Sequence, residues 1–417
     1  MPQSQYDVII LGSSLASDLT ATLLSKNGRK VLHFRDTEDD YPLWSTAPTE
    51  LLNLLNLLNA RACLKPARRF QVITPTNRID LLTGTPLDEE LRREFPHSHS
   101  GILRFLQQLE RYGRRLLDIT RRGLLPNPGF GARGTFEMRC LFKRIPWRIL
   151  IRPLLPRLEQ FSDPAVRQFL RSLFEGLALR SVDELTIGQA ALIWFSSTSS
   201  MSFSRSGLKE LLTHRFDQFH GRSESISTVQ QVACRRHRLT GIELAEGKHC
   251  QARTYLIGSQ HGLNLLPEQL RPASSPMFAP CSYITSPLGK AASPFLAPGV
   301  ILGGESTVRL TFSKTAEDLF ATVESLFSQD EKLLRQSLAS ILPFADFAIE
   351  KRDGSPTDSS DNQQRVAASF PARCQPAKIR SHLYLCNGRA LLPAFGSSGE
   401  FMVAQAFCRL LGTKNKD

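Results

Sequence analysis

The first 36 residues constrain the fold more than any other stretch. Tyr6-Asp7-Val8-Ile9-Ile10-Leu11 is a short apolar, β-branched run that stops at Gly12, as a buried parallel strand does. Leu15, Leu19, Leu23 and Leu24 then recur at helical spacing, and Asn27-Gly28 supplies the residue types that end a helix. Lys30-Val31-Leu32-His33-Phe34 reads as a second strand. A strand, a tight turn and a helix in this order aim helix N-terminal amides at an anion. The turn Gly12-Ser13-Ser14-Leu15-Ala16-Ser17 sits at the fingerprint position of a Rossmann-type dinucleotide-binding unit. Gly12 matches the first fingerprint glycine, while the second and third read Ser14 and Ser17. The acid expected at the end of the second strand falls at Arg35, with Asp36 one residue later. Asp36 is the candidate for a ribose hydroxyl, and Arg35 for a 2′-phosphate and hence NADP. A unit of this kind that keeps its fold without a nucleotide is the other reading.

Composition narrows the class. The chain has 417 residues, 41% hydrophobic and 22% charged, which excludes a wholly disordered, collagenous or coiled-coil protein. That length suits two or three domains, or one α/β unit with an inserted cap. No apolar run approaches the ~20 residues of a membrane span. The sequence enters its first strand without a leader-like pattern, so a cytoplasmic protein is expected. Eight cysteines, none in a Cys-x-x-Cys pair, fit reduced thiols. Nine scattered histidines give no reason to expect a metal. Neither a Gly-x-Ser-x-Gly elbow nor a Walker loop is present.

Three later segments carry a family resemblance. In the first, Gln71-Val72-Ile73-Thr74-Pro75 and Arg78-Ile79-Asp80-Leu81 predict a hairpin. An acidic helix from Leu87 to Phe95-Pro96 and a long helix over residues 101–119 follow. The second holds a helix led by Gly207, a hairpin through Val232 and Ile242, and a return strand at Tyr255-Leu256-Ile257. The third is Leu383-Tyr384-Leu385-Cys386-Asn387-Gly388-Arg389, then Pro393, Gly396 and Gly399, then a closing helix. Together with the first unit, these resemble the FAD-dependent oxidoreductase superfamily of phytoene desaturases, amine oxidases and Rab GDP-dissociation inhibitors. Asn27-Gly28-Arg29-Lys30-Val31-Leu32-His33 is especially similar to the inhibitors. Two family acids read Arg35 and Arg389 here, and residues 39–45 lack the family's Gly-Gly-Arg segment.

The resemblance implies an α/β fold with a Rossmann-like FAD/NAD(P)-binding domain and a discontinuous substrate or cap domain. The first would take residues 1–60, 200–275 and 375–417, and the second residues 61–199 and 276–374. It implies FAD as cofactor, held by Gly12, Ser13, Ser14, Leu15, Ala16, Ser17, Arg35, Asp36, Val232, Gly388, Arg389, Gly396, Gly399 and Met402. Either arginine is able to pair with the pyrophosphate. The implied activity is that of a phytoene desaturase: hydride removal from a long apolar, isoprenoid-like substrate at a membrane surface. No catalytic acid or base is identified. The alternative is a non-catalytic protein of the same fold that has lost FAD and binds a lipid or a protein partner.

Two segments remain. Leu-Leu-Asn repeats through residues 51–58, as a buried helix or one facing an apolar ligand. The net charge is +13, and residues 139–157 contribute Arg139, Lys143, Arg144, Arg148, Arg152 and Arg157 with no acid, among Phe142 and Trp147. Three readings of that segment stay open: a cap helix with arginines outside, contact with an anionic membrane, and nucleic acid. No nucleic-acid-binding module is recognisable, so nucleic acid is not the expected partner.

Overall fold

Strand and helix alternate at the N-terminus because their apolar periods do. In a computed structural model of the chain, Gln3–Leu11 is a strand, Leu15–Lys26 a helix and Val31–Arg35 a strand. The structure describes residues 3–36, 70–81, 87–120, 145–198, 205–236, 238–272, 281–288, 296–304, 307–314, 319–325, 331–342, 348–351, 378–392 and 397–412, with short pieces at 53–56, 58, 64–66, 140, 142 and 201–203.

Two large sheets organise these residues. In the first, Leu383–Leu385, His249–Ile257, Gln3–Leu11, Val31–Arg35 and Arg222–Ser225 run parallel in that order. Lys378–Arg380 adds an antiparallel edge, and the hairpin Val229–Arg235/Arg238–Leu244 joins the side of His249–Ile257. Ile9, Ile10 and Leu11 are fully buried, as a central parallel strand covered on both faces requires. The second sheet runs Ile349–Lys351, Cys281–Thr285, Leu319–Ser325, Val308–Lys314, Gly299–Leu302, Phe70–Ile73 and Arg78–Leu81. Its neighbours are antiparallel except Gly299–Leu302 beside Phe70–Ile73. This mixed α/β architecture is the expected class.

Other expectations hold locally. The hairpin around residues 75–77 forms, and the helices after it run Leu87–Glu94 and His99–Thr120. Asn27 caps the first helix and Gly28 takes φ +77°. Residues 160–197 hold two helices, Pro164–Ala178 and Ile187–Ser197, and the first ends at Leu179, which turns left-handed (φ 49°). Within the Leu-Leu-Asn repeat, Leu54, Leu55 and Leu58 are buried against Leu15, Leu19, Leu23, Leu208, Leu212 and Phe401. That supports the buried-helix reading. Each such leucine contributes about 1.5–3 kcal/mol of transfer free energy. Prolines break the basic segment as its sequence suggests, leaving one-turn helices at Trp147–Leu150 and Leu155–Leu158. Among the described residues, no helix is long and apolar enough to cross a membrane.

Candidate functional site

Three chain segments meet at the C-terminal ends of the central parallel strands. The first strand ends at Gly12, whose φ of +89° suits glycine and whose missing Cβ leaves room for the Ser259 side chain. Gly258 follows the strand His249–Ile257, and its N–H donates to Leu11 O at 2.7 Å. Asn387 follows Leu383–Leu385, and its Nδ2 donates to Gly258 O at 2.9 Å. The Ser14 hydroxyl donates to Cys386 O at 3.1 Å. Residues 372 positions apart in the chain therefore share one polar knot.

The turn's amides are engaged by the chain itself. Gly12 N–H donates to Phe34 O at 2.8 Å. Ser13 N–H donates to Asp36 Oδ2 at 3.0 Å, and Asp36 N–H returns a bond to Ser13 Oγ at 3.2 Å. Ser14 and Ser17 form a capping box: Ser14 N–H donates to Ser17 Oγ at 2.6 Å, and Ser17 N–H to Ser14 Oγ at 3.1 Å. Ala16 N–H donates to Glu400 Oε2 at 2.9 Å. The other carboxylate oxygen, Glu400 Oε1, accepts Arg389 N–H at 3.0 Å. Glu400 thus binds one amide in the first turn of the helix Leu15–Lys26 and one in the one-turn helix Gly388–Leu391.

Glu400 is completely buried. Burial pushes its carboxyl pKa up, while the amides of Gly388, Ala16 and Arg389 and the Arg389 charge pull it back. Gly388 packs so closely that a Cβ there would overlap the Glu400 backbone. The closing helix Ser397–Gly412 therefore seats its first turn directly against the glycine. From Glu400 a line of charges continues to the second sheet. Arg389 NH2 lies 3.7 Å from Glu324 Oε1, and Arg309 Nε donates to Glu324 Oε2 at 2.9 Å. Arg309 and Glu324 are both buried.

Apart from Arg35, the expected cofactor residues divide in three. Gly12, Ser13, Ser14, Leu15, Ala16, Ser17, Asp36, Gly388, Arg389 and Gly399 come together around the knot. Val232 sits in the hairpin opposite Ile242, and Met402 is buried in the core. Neither takes part in the turn's hydrogen bonds described above. Gly396 and the segment at residues 39–45 lie outside the described residues.

The two arginines point differently from expectation. Arg35 folds back onto Thr213 Oγ1 (2.7 Å), Asp18 (3.5 Å) and the Phe216 ring. An arginine at a strand end gains more from a nearby buried carboxylate and ring than from open solvent. Arg389 turns to Glu324. Asp36 Oδ2 accepts Ser13 N–H, and its Oδ1 lies 3.3 Å from His261 Nδ1.

Sequence reasoning missed Glu400, Glu324, Asp18 and Asn387. One signal for Glu400 was present: a lone acid in the first turn of an otherwise apolar closing helix. His33 was also missed as part of the turn. Its Nε2 lies 3.2 Å from Gly12 O and its Nδ1 3.5 Å from Asp18, and burial pushes its pKa down.

These residues do not fit an FAD pyrophosphate in this arrangement. A phosphate needs amides that the protein leaves open, and this turn satisfies Ser13, Ser14, Ala16 and Ser17 internally. Two of its acceptors are carboxylates, which repel a second anion at the same place.

No protein-family model matches the sequence, and no curated protein matches it either. Solved structures match it over nearly their whole length. A Rab GDI from Plasmodium falciparum is 11% identical, with TM-score 0.58 and 100% of each chain covered. An oxidoreductase from Methanosarcina mazei is 13% identical (TM-score 0.60), covering 98% of this chain and 100% of the other. Cyclohexylamine oxidase from Brevibacterium oxydans is 12% identical (TM-score 0.56), covering 98% of each. At such identities the likeness is one of fold. The chain shares a mixed α/β, Rossmann-like fold with these proteins.

Proposed function

We propose that this protein is a non-redox member of the flavoprotein fold, a binding protein for an apolar ligand or a protein partner. One observation carries this reading: the Glu400 carboxylate stands on the amides of Ala16 and Arg389. An internal anion held by two helix starts costs nothing further to order. A cofactor phosphate would have to displace it and leave a buried carboxylate without its donors. Arg389, Glu324 and Arg309 extend the same internal pairing toward the second sheet.

The competing reading is an FAD-dependent oxidoreductase acting on a long apolar substrate, as a phytoene desaturase does. The full-length likeness to oxidoreductase structures favours it. It requires Glu400 to swing away and the amides to reopen.

Melting the protein with excess FAD separates the two. A bound cofactor at one hundred times its dissociation constant would add about 2.7 kcal/mol of stability. The proposal expects no change in melting temperature. A clear upward shift that saturates with FAD would reverse it in favour of the enzyme.

A further inference from the structure

The chain's charge is not spread evenly. Residues 99–157 hold 13 Lys and Arg against 3 Asp and Glu, within a chain whose net charge is +13. The long helix His99–Thr120 buries Ile102, Phe105, Leu106, Leu109, Leu116 and Leu117. Its exposed positions include Arg104, Arg111, Arg114 and Arg115, a spacing that lines one outer stripe. Arg114 is paired with Glu110 at 2.9 Å.

Beside this stripe lies a groove of about 360 Å³. Its floor is aromatic: Phe105 and Phe161 meet edge to face with centroids 5.9 Å apart. Arg104 and Gln108 line it from the long helix, Arg157 from the one-turn helix Leu155–Leu158 that ends the basic segment, and Gln160 from just beyond it. The Arg104 Nε–H donates to Ser100 O at 3.2 Å, and Arg157 donates to Gln160 Oε1. Among the described residues, neither Arg104 nor Arg157 has a carboxylate partner. Two guanidinium groups over an apolar floor suit an anion attached to an apolar body. The same basic stretch of chain also exposes two large apolar side chains, Phe142 (79%) and Ile149 (40%). Arginines beside exposed Phe142 and Ile149 suit the apolar depth and anionic surface of a bilayer interface, and the sequence carries no recognisable nucleic-acid-binding module.

We propose that this groove and the arginine stripe form a docking site for anionic phospholipid headgroups, with a headgroup phosphate received between Arg104 and Arg157. The site lies outside the nucleotide turn and stands whether or not flavin binds.

Vesicle sedimentation tests it. Wild type should sediment with phosphatidylcholine vesicles containing phosphatidylserine and stay in solution with phosphatidylcholine alone. The double variant R104Q/R157Q should bind the anionic vesicles about thirty-fold more weakly, at about 1 kcal/mol per arginine near the surface. R235Q/R253Q loses the same charge from exposed positions on the first sheet and should bind nearly as wild type does. If the two double variants lose binding equally, general charge is the cause and the site is wrong. Equal binding to both vesicle types also overturns it. Inorganic phosphate that releases the protein at the vesicles' own phosphate concentration makes this a free-anion site. A single-stranded oligonucleotide that does so makes it a nucleic-acid site. Circular dichroism checks folding. Should R104Q/R157Q fail to fold, R104Q and R157Q are each read for a loss of about fivefold.

Discussion

The first βα turn and the groove beside the long helix are both lined by anion-binding groups, and they are built in opposite ways. At the turn, the amides of Ser13, Ser14, Ala16 and Ser17 are engaged inside the protein, and Glu400 is wholly buried. At the groove, Arg104 and Arg157 are exposed and meet no carboxylate among the described residues. In this arrangement the first βα turn is a structural joint, and the exposed cationic surface lies elsewhere. A fold can keep its architecture while the chemistry of a site changes completely.

If the turn is a joint, its residues should matter for stability far more than those of the groove. Glu400→Leu should have the largest effect. It leaves the Ala16 and Arg389 backbone N–H groups without their acceptor, at a cost of about 2–5 kcal/mol for two unsatisfied donors. Urea unfolding measures this, and a loss below about 1 kcal/mol would mean that Glu400 is not a working part of the knot.

Gly12→Ala should come next. It forces a Cβ into the Ser259 side chain at φ +89°, and strain with overpacking costs about 2–4 kcal/mol. Equal melting temperatures for Gly12→Ala and wild type would show that the turn is loose.

A smaller effect is expected from pH. Burial holds the His33 pKa below its ordinary value against the pull of Asp18 and Gly12 O, with Arg35 opposing protonation. The unfolded chain therefore takes up the proton first. Stability is full above about pH 6.5 and falls as the solution is acidified. In His33→Gln this acid limb should flatten. His382, also lowered by burial, keeps part of it. An unchanged limb would place the titration elsewhere.

The smallest stability effect belongs to the groove. R104Q/R157Q should stay within about 0.5 kcal/mol of wild type by the same unfolding measurement. A loss comparable to that of Glu400→Leu would erase the contrast between the two regions.

Much of this architecture was legible because it is written locally. The run Tyr6–Leu11, the leucine spacing after it and Asn27-Gly28 encode strand, helix and stop within thirty residues. The hairpin about residues 75–77 and the closing helix follow from turn residues and apolar periods in the same way. The state of the site was not local. Glu400 reaches Ala16 across 384 positions, and Arg309 pairs with Glu324 from the neighbouring strand of the second sheet. A sequence pattern shows which residues are able to bind an anion. Only the packed chain shows that one of its own carboxylates already stands there. Arg35 illustrates the same limit. Its position suggested a phosphate, and its partners proved to be Asp18, Thr213 and Phe216.

The most direct measurement is the flavin content of the protein after incubation with excess FAD and removal of free cofactor by gel filtration, read from its visible spectrum. The closed turn predicts a colourless protein with no flavin absorbance. A yellow protein carrying one FAD per chain would contradict it and return the molecule to the oxidoreductases whose fold it shares.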